Sequence, residues 1–430
     1  MDNADTIFAL SSGAPPAAIA VIRISGSLAL SAVRELTGSL PPARRASLRQ
    51  LINADGVVLD DALVVVFPGP STATGEDLTE LHLHGGRAVV RGVETALEGM
   101  AGLRRAKPGE FTRRAFLNGR LDLNEAEGLA DLLAAETEWQ RRGALQMAGG
   151  AFSKAIEGWR EDLLGLSATV EALLDFSDED DVPASENINI STRCNDLYDV
   201  IQQHLAVPNA QKLQEGLRVV IAGPPNSGKS TLLNALADKE AAIVSDIAGT
   251  TRDLIDVAVA FGGIPFILTD TAGLRVETDD VIEGVGIKRA EAAIATADIV
   301  LWLGVEGEGP AHANGLEIEA KADDPTRIVK SAIALKLSAK TNDGLAGLIQ
   351  WLTETAKTLL PPLDSFAINA RQTALLTDAA RSLAAGTHAT DLLVTAEELR
   401  QARLALDALT GRASTEDMLD ALFGRFCIGK

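Results

Sequence analysis

The chain has 430 residues, enough for two or three domains, and its 46% hydrophobic and 23% charged residues are an ordinary globular balance. A formal net charge of −21 argues against a protein that grips nucleic acid unaided, because phosphate neutralisation calls for a basic face. No apolar run reaches the ~18–20 residues of a membrane span, Met1 to Asp5 lack the basic and apolar regions of a signal peptide, and two distant cysteines give no disulfide framework, so a cytoplasmic protein is expected.

Residues 1–118 mix short strand-like runs (Ala17–Ile24, Asp61–Phe67, Leu78–His84) with turns, then a helical stretch at Arg87–Met100, which predicts an α+β domain. From Asn124 to about Leu174, Leu and Ala recur three and four apart, the spacing of helices. Asp178 to Asp181 form a dense acidic run, expected as a solvated loop, and helical spacing resumes over Asn195–Gln214. At Leu217 the pattern turns to strand, glycine-rich loop and helix, opening a parallel α/β unit that runs to about Leu359. Pro361-Pro362 marks its exit, and Asn369–Leu422 is helical again. Helices on both sides of a self-contained α/β block predict an insertion. The expected fold is therefore multidomain α+β: an N-terminal domain over 1–118, a helical domain in two parts over 119–215 and 361–430, and an inserted α/β domain over 216–360.

The inserted block carries the strongest chemistry. Leu217–Ala222 reads as a buried strand that runs into Gly223-Pro224-Pro225-Asn226-Ser227-Gly228-Lys229-Ser230, which fits G-x-x-x-x-G-K-[ST], and Thr231 begins a helix. Glycines let backbone N–H groups converge on phosphate, the helix N-terminus adds a favourable dipole, Lys229 neutralises β/γ charge, and Ser230 offers a hydroxyl to Mg²⁺. Asp270-Thr271-Ala272-Gly273 follows an apolar strand as D-x-x-G does in GTPases, Gly249-Thr250-Thr251-Arg252-Asp253 has the place of a switch loop, and Ser338-Ala339-Lys340 matches a loop that supports guanine. The guanine-specifying N-K-x-D motif is represented by Ala320-Lys321-Ala322-Asp323, with Ala where Asn is expected. Asp323 still offers a carboxylate to the guanine edge, so GTP is the expected nucleotide, with ATP the alternative that Ala320 keeps open.

Leu274 stands where some GTPases carry a water-orienting Gln, so hydrolysis needs another group. Carboxylates at Glu277, Asp279, Asp280 and Glu283 are available, and the residues alone do not choose among them. Asn226 either braces the loop or holds a monovalent cation that supplies the missing positive charge. His82 and His84 form an H-x-H on a strand, but two ligands without a third make a weak metal site. Cys194 reads as a small core residue.

Elsewhere the chain carries Asp5-Thr6-Ile7, Val21-Ile22-Arg23-Ile24-Ser25-Gly26, Gly75-Glu76-Asp77, His84-Gly85-Gly86, Pro108-Gly109-Glu110-Phe111-Thr112, the run Arg114 to Leu123, and Cys427-Ile428-Gly429-Lys430. Together with the inserted α/β block, this set resembles the tRNA-modification GTPases of the MnmE (TrmE) family over essentially the whole chain. The resemblance implies a folate-binding N-terminal domain that forms a homodimer, a helical domain, and an inserted GTPase domain whose hydrolysis is stimulated by K⁺. It implies a flavin-dependent partner, MnmG, with which C5 of the wobble uridine of tRNA receives an aminomethyl or carboxymethylaminomethyl group. The carbon would come from 5-formyl- or methylene-tetrahydrofolate, the tRNA would be bound largely through the complex, and no membrane would be involved.

Residue by residue, the resemblance implies K⁺ at Asn226, Ser245, Ile247 and Thr250, and Mg²⁺ at Ser230 and Thr251. Nucleotide contacts would come from Asn226, Ser227, Gly228, Lys229, Ser230 and Thr231, then Ser245, Asp246, Ile247, Ala248, Gly249, Thr250 and Thr251. Further contacts would come from Asp270, Thr271, Ala272, Gly273, Lys321, Asp323, Ser338, Ala339 and Lys340. The water-orienting carboxylate maps to Glu283, in a segment one residue longer after Arg275 than the usual pattern. Folate would be held by Arg23, Glu80, Arg120 (where the family usually has Lys) and Lys430. Cys427 is implied in the modification step, although Phe423 and Phe426 beside it also fit simple packing. A reading of another class is a regulatory GTP-binding switch in ribosome assembly, which would need neither the folate residues nor the cysteine.

Overall fold

Two six-stranded sheets organise the chain, one in each of two compact units: residues Met1–Ala130 with Asp407–Lys430, and Asp131–Leu406. The computed structural model describes residues 5–175, 184–239, 256–271, 290–331, 335–413 and 415–430. The acidic run Asp178 to Asp181 lies outside them.

The first sheet contains β1 (Thr6–Leu10), β2 (Ile19–Ser25), β3 (Ser47–Ile52), β4 (Val58–Phe67), β5 (Leu78–His84) and β6 (Leu103–Arg105), in the order β3-β4-β5-β2-β1-β6. All pairs are antiparallel except β1 with β6. Strand side chains alternate between faces, so Ala20, Ile22 and Ile24 of β2 fall on one side with Leu81 and Leu83 of β5. Helices α1 (Ala29–Thr37) and α2 (Arg87–Glu98) cover that side with Val33, Leu36, Val93 and Leu97. The other side carries Arg23, Glu80 and His82, and part of it is closed by Phe111 of α3 (Glu110–Leu117) against Ile7, Ala9 and Leu78. Helix Glu416–Phe423 joins this unit through Leu419, Phe423 and Phe426, which pack with Phe116, Leu123 and Ala126.

In the second unit the central strand is β7 (Leu217–Ala222), flanked by β9 (Ile264–Asp270) and β8 (Asp256–Phe261) on one side. On the other side stand β10 (Ile299–Trp302), β11 (Gly315–Glu319) and β12 (Leu335–Lys336). Every pair is parallel except β8 with β9, which a Gly262-Gly263 turn joins at φ 57° and 76°. Parallel strands are buried on both faces and read as continuous apolar runs; Val219, Val220 and Ile221 of β7 are all at most 2% exposed. The helices before this sheet are α4 (Leu123–Ala134), α5 (Glu138–Ala148), α6 (Ala151–Asp175), α7 (Ala184–Leu205) and α8 (Gln211–Glu215). Those after α9 (Lys229–Lys239) include Leu345–Leu359, Ala370–His388 and Leu392–Thr410. Helix α5 starts with a capping box between Thr137 and Gln140, and its Trp139 N–H donates to Gly263 O at 3.0 Å in the β8–β9 turn. Among the described residues no helix is long and apolar enough to cross a membrane. The class is multidomain α+β with an inserted P-loop α/β unit, as the residue pattern predicts.

Candidate active site

Strands β7 and β9 lie side by side with Ile221 opposite Asp270, so their C-terminal ends deliver the glycine-rich loop and the D-x-x-G aspartate to one place. Crevices outside the carboxyl ends of parallel strands are where such sheets bind ligands. The loop turns through Gly223 (φ 153°), Asn226 (φ 60°) and Gly228 (φ 102°). A Cβ on Gly223 would lie 3.0 Å from Ser227 Oγ and 3.2 Å from Leu303, so the close approach needs glycine.

Lys229 is 6% exposed and curls over its own loop, Nζ donating to Gly223 O at 3.0 Å and Pro224 O at 2.9 Å. Its ammonium thus lies where loop N–H groups and the first turn of α9 attract phosphate. Beside it, Ser230 Oγ donates to Asp270 Oδ2 at 2.5 Å, and Asp270 is 3% exposed. Thr271 Oγ1 fixes this corner by donating to Ile221 O at 3.0 Å. A hydroxyl and a carboxylate in contact form a hard-oxygen set suited to Mg²⁺. Ser227 Oγ is buried with no hydrogen-bond partner among the described residues, an orphan polar atom within the phosphate loop.

On the base side, Lys321 spans from the end of β11 to the loop, its Nζ donating to Asn226 O at 2.6 Å. Asp323 is held by Ser338, whose Oγ donates to Asp323 Oδ1 at 2.6 Å and accepts from Thr341 N at 3.2 Å. The Ser338 bond is the main cause that holds the Asp323 carboxyl below the usual range, which keeps it an acceptor. A cavity of about 270 Å³ opens here, lined by Gly228, Thr231, Lys321, Asp323, Ala339 and Lys340, with the Ala320 methyl on its wall. Behind it, Glu319 is buried and held ionised first by Arg327 and then by the Lys330 N–H. Glu319 and Arg327 are not among the residues expected from sequence, since a Glu and an Arg eight positions apart carry no signal before the turn between them folds.

The expected switch residues Ser245, Asp246, Ile247, Ala248, Gly249, Thr250 and Thr251 lie outside the described residues, as do Ala272, Gly273 and all four candidate carboxylates, Glu277, Asp279, Asp280 and Glu283.

In the first unit, Arg23 and Glu80 stand opposite each other on β2 and β5, with Arg23 Nε donating to Glu80 Oε1 at 2.9 Å. His82 Nε2 lies 3.2 Å from the other Glu80 oxygen, and His84 Nδ1 is 2.7 Å from Asp60, whose carboxylate raises the His84 pKa. Both histidines of the H-x-H pair thus face a carboxylate. Arg120 Nε donates to Thr72 O at 3.1 Å. The tail docks through its backbone: Gly109 N–H donates to Cys427 O at 3.4 Å, Phe111 N–H to Lys430 O at 3.2 Å, and Ser11 Oγ to Gly429 O at 2.8 Å. Cys427 is exposed, whereas Cys194 is fully buried and burial pushes its thiol up to about 11. Arg114, with a side chain only 5% exposed, joins Glu76 at 3.1 Å, Glu110 at 3.4 Å and Asp5 at 3.6 Å. Sequence reasoning missed this network, whose visible trace is Glu110 and Arg114 four apart on α3.

The model described as the GTP-binding protein TrmE N-terminus matches residues 6–120, and the one described as the MnmE helical domain matches residues 123–427. The chain is 60% identical over 426 residues to a tRNA modification GTPase MnmE of Erythrobacter litoralis, covering 99% of this chain and 100% of that one. It is 55% identical to the protein of the same name from Novosphingobium aromaticivorans, again over 99% and 100% of the two chains. Among solved structures, the G domain of the T. maritima FeoB iron transporter aligns over 33% of this chain and 98% of its own, at 20% identity and a TM-score of 0.24. That likeness is too slight to build on.

Proposed function

The chain belongs to the MnmE (TrmE) family of tRNA modification GTPases, and from that premise we propose how its residues serve GTP hydrolysis and the modification of tRNA. The observation that carries the reading is the cluster of Lys229, Ser230 and Asp270 at the ends of β7 and β9, bridged to the base loop by Lys321. Lys229 and the loop N–H groups neutralise charge on the β- and γ-phosphates and hold them for in-line attack. Asp323, kept ionised and rigid by Ser338, accepts from the N1–H and the exocyclic amine of guanine, a pattern adenine does not offer. Ser230 and Asp270, with Thr251, would hold Mg²⁺, directly or through water, and the ion would supply positive charge beside the phosphate oxygens. Asn226, Ser245, Ile247 and Thr250 would hold K⁺ as a further fixed charge. Glu283 would orient the attacking water.

In the same reading Arg23, Glu80, Arg120 and Lys430 would hold the tetrahydrofolate one-carbon donor, and Cys427 would serve the modification of C5 of the wobble uridine. The Arg23–Glu80 pair supports this role because it offers both a donor fork and an acceptor to a polar heterocycle. A flavin-dependent MnmG partner, a homodimer formed through the first unit, and a cytoplasmic setting complete the proposal. The net charge of −21 is consistent with a basic tRNA surface supplied by the partner.

Steady-state hydrolysis of GTP and ATP by the full chain, in potassium and in sodium, tests the nucleotide half. GTP should be turned over in clear preference, and faster in potassium. Equal turnover of both nucleotides would overturn Asp323 as the base reader, and indifference to the cation would overturn the K⁺ site.

A further inference from the structure

The base-reading turn works without the Asn of an N-K-x-D motif, and something else must hold it. Lys321 sits at φ 56°, a left-handed conformation that a lysine keeps only where its surroundings enforce it. One flank is held by main chain: Leu337 N–H donates to Glu319 O at 2.9 Å and Ala322 N–H to Leu337 O at 3.0 Å. The other flank is held by charge. Arg327 Nε donates to Glu319 Oε1 at 2.7 Å, while its Nη1 reaches Asp324 O at 3.4 Å and its backbone N–H reaches the same carbonyl at 3.2 Å.

The guanidinium therefore ties the end of β11 to the residue next to Asp323. The second Glu319 oxygen accepts from Lys330 N–H at 3.1 Å, and Glu319 is only 6% exposed. Lys330 anchors the far end of the segment: its fully buried Nζ donates to Trp302 O at 3.0 Å and pairs with Glu317. The turn is closed at both ends by ionic bonds that each have one buried partner, Glu319 and Lys330, and charge-assisted bonds gain strength as water is withdrawn.

We propose that Glu319 and Arg327 are positioning residues for the guanine base, a charge-assisted clamp that fixes Asp323 and Lys321 in place of an amide at position 320. The inference rests on the assignment of this cavity to guanine. A clamp that acts on the base loop alone changes nucleotide affinity and leaves the chemistry at Lys229 untouched. An Asn restored at position 320 should make the clamp dispensable.

The test is titration of the full chain with GDP, together with GTP turnover, on R327A, A320N, the double variant A320N/R327A, and K229A. R327A should bind GDP about tenfold more weakly and raise KM in proportion, with kcat within about twofold of the unsubstituted chain. A320N alone should shift affinity by less than about twofold, yet recover most of the loss in the double variant. Folded R327A with unchanged GDP affinity, or a double variant as weak as R327A, would overturn the clamp. Should R327A not fold, E319Q keeps the shape, and the same loss with rescue by A320N is expected of it. K229A separates the two levels: if it too binds GDP normally, the nucleotide site is misassigned, whereas loss in K229A alone sinks only the clamp.

Discussion

The two sheets place their polar chemistry in opposite ways. In the second unit the central strands are buried on both faces, and the reactive groups sit at or just beyond strand ends, so Lys229 and Ser230 are neighbours in sequence as well as in space. In the first unit Arg23 and Glu80 stand on the strands themselves, and they meet only because β2 and β5 pair in one particular register. A parallel sheet concentrates a site into contiguous text. An antiparallel sheet with one polar face scatters it over dozens of residues, and a one-residue slip would turn every member to the wrong side.

The contrast is broken most sharply by K229A. Loss of the loop ammonium should lower GTP turnover by roughly 100- to 1000-fold, while the melting behaviour of the first unit stays as it was. Turnover within a factor of a few would mean the loop is not the phosphate site. Next in size is R114A, which should leave the buried Glu76 carboxylate without its cation, while Arg104 still pairs with Glu110. Breaking such a network costs about 3–5 kcal/mol, to be read from urea unfolding, with GTP turnover per folded molecule unchanged. A loss below ~1 kcal/mol would show the network to be solvated like a surface pair.

The smallest effect separates the two thiols. At neutral pH a thiol reagent should modify Cys427 and spare Cys194 until the chain unfolds. Burial raises the Cys194 pKa from 9.0 to about 11, so the unfolded chain loses this proton first as pH rises. The stability this thiol contributes is therefore complete below pH 9 and falls between 9 and about 11, by about 1–2 kcal/mol. Replacement by valine should flatten the decline in that window, and an unchanged slope would remove Cys194 as its source.

Much of the second unit was legible because its signals are local. The run Leu217–Ala222 is strand, Gly223–Gly228 is loop, and Lys229–Lys239 is helix, each ending where the next begins. The strands at Leu78–His84 and Ile264–Asp270 and the helices from Leu123 to Asp175 were likewise visible as apolar periodicity. Strands β1, β3 and β6 were not. Thr6–Leu10 is buried along almost its whole length and shows no alternation, and Leu103–Arg105 is a three-residue edge held by pairing with β1. Helix α1 was hidden by its brevity: nine residues between Leu28 and Gly38, stable through the sheet it covers more than through its own propensity. At the site, Asp323 and Lys321 could be named from a damaged motif. The Glu319–Arg327 clamp could not, since a Glu and an Arg eight apart signify nothing until the turn between them folds.

The seam between the first sheet and the residues after Asp407 has a consequence for how the protein is made. Ser11 is bonded to Gly429, 418 positions away, and Phe423 and Phe426 complete a core begun by Phe116 and Leu123. During synthesis the ribosome must emit all of Asp131–Leu406 before those partners exist. At roughly 5–20 residues per second, that is a wait on the order of tens of seconds. Through that interval the nascent first unit lacks the Phe423 and Phe426 side chains that cover Phe116, Leu123 and Ala126, while the second unit holds its sheet and its own core within one continuous stretch.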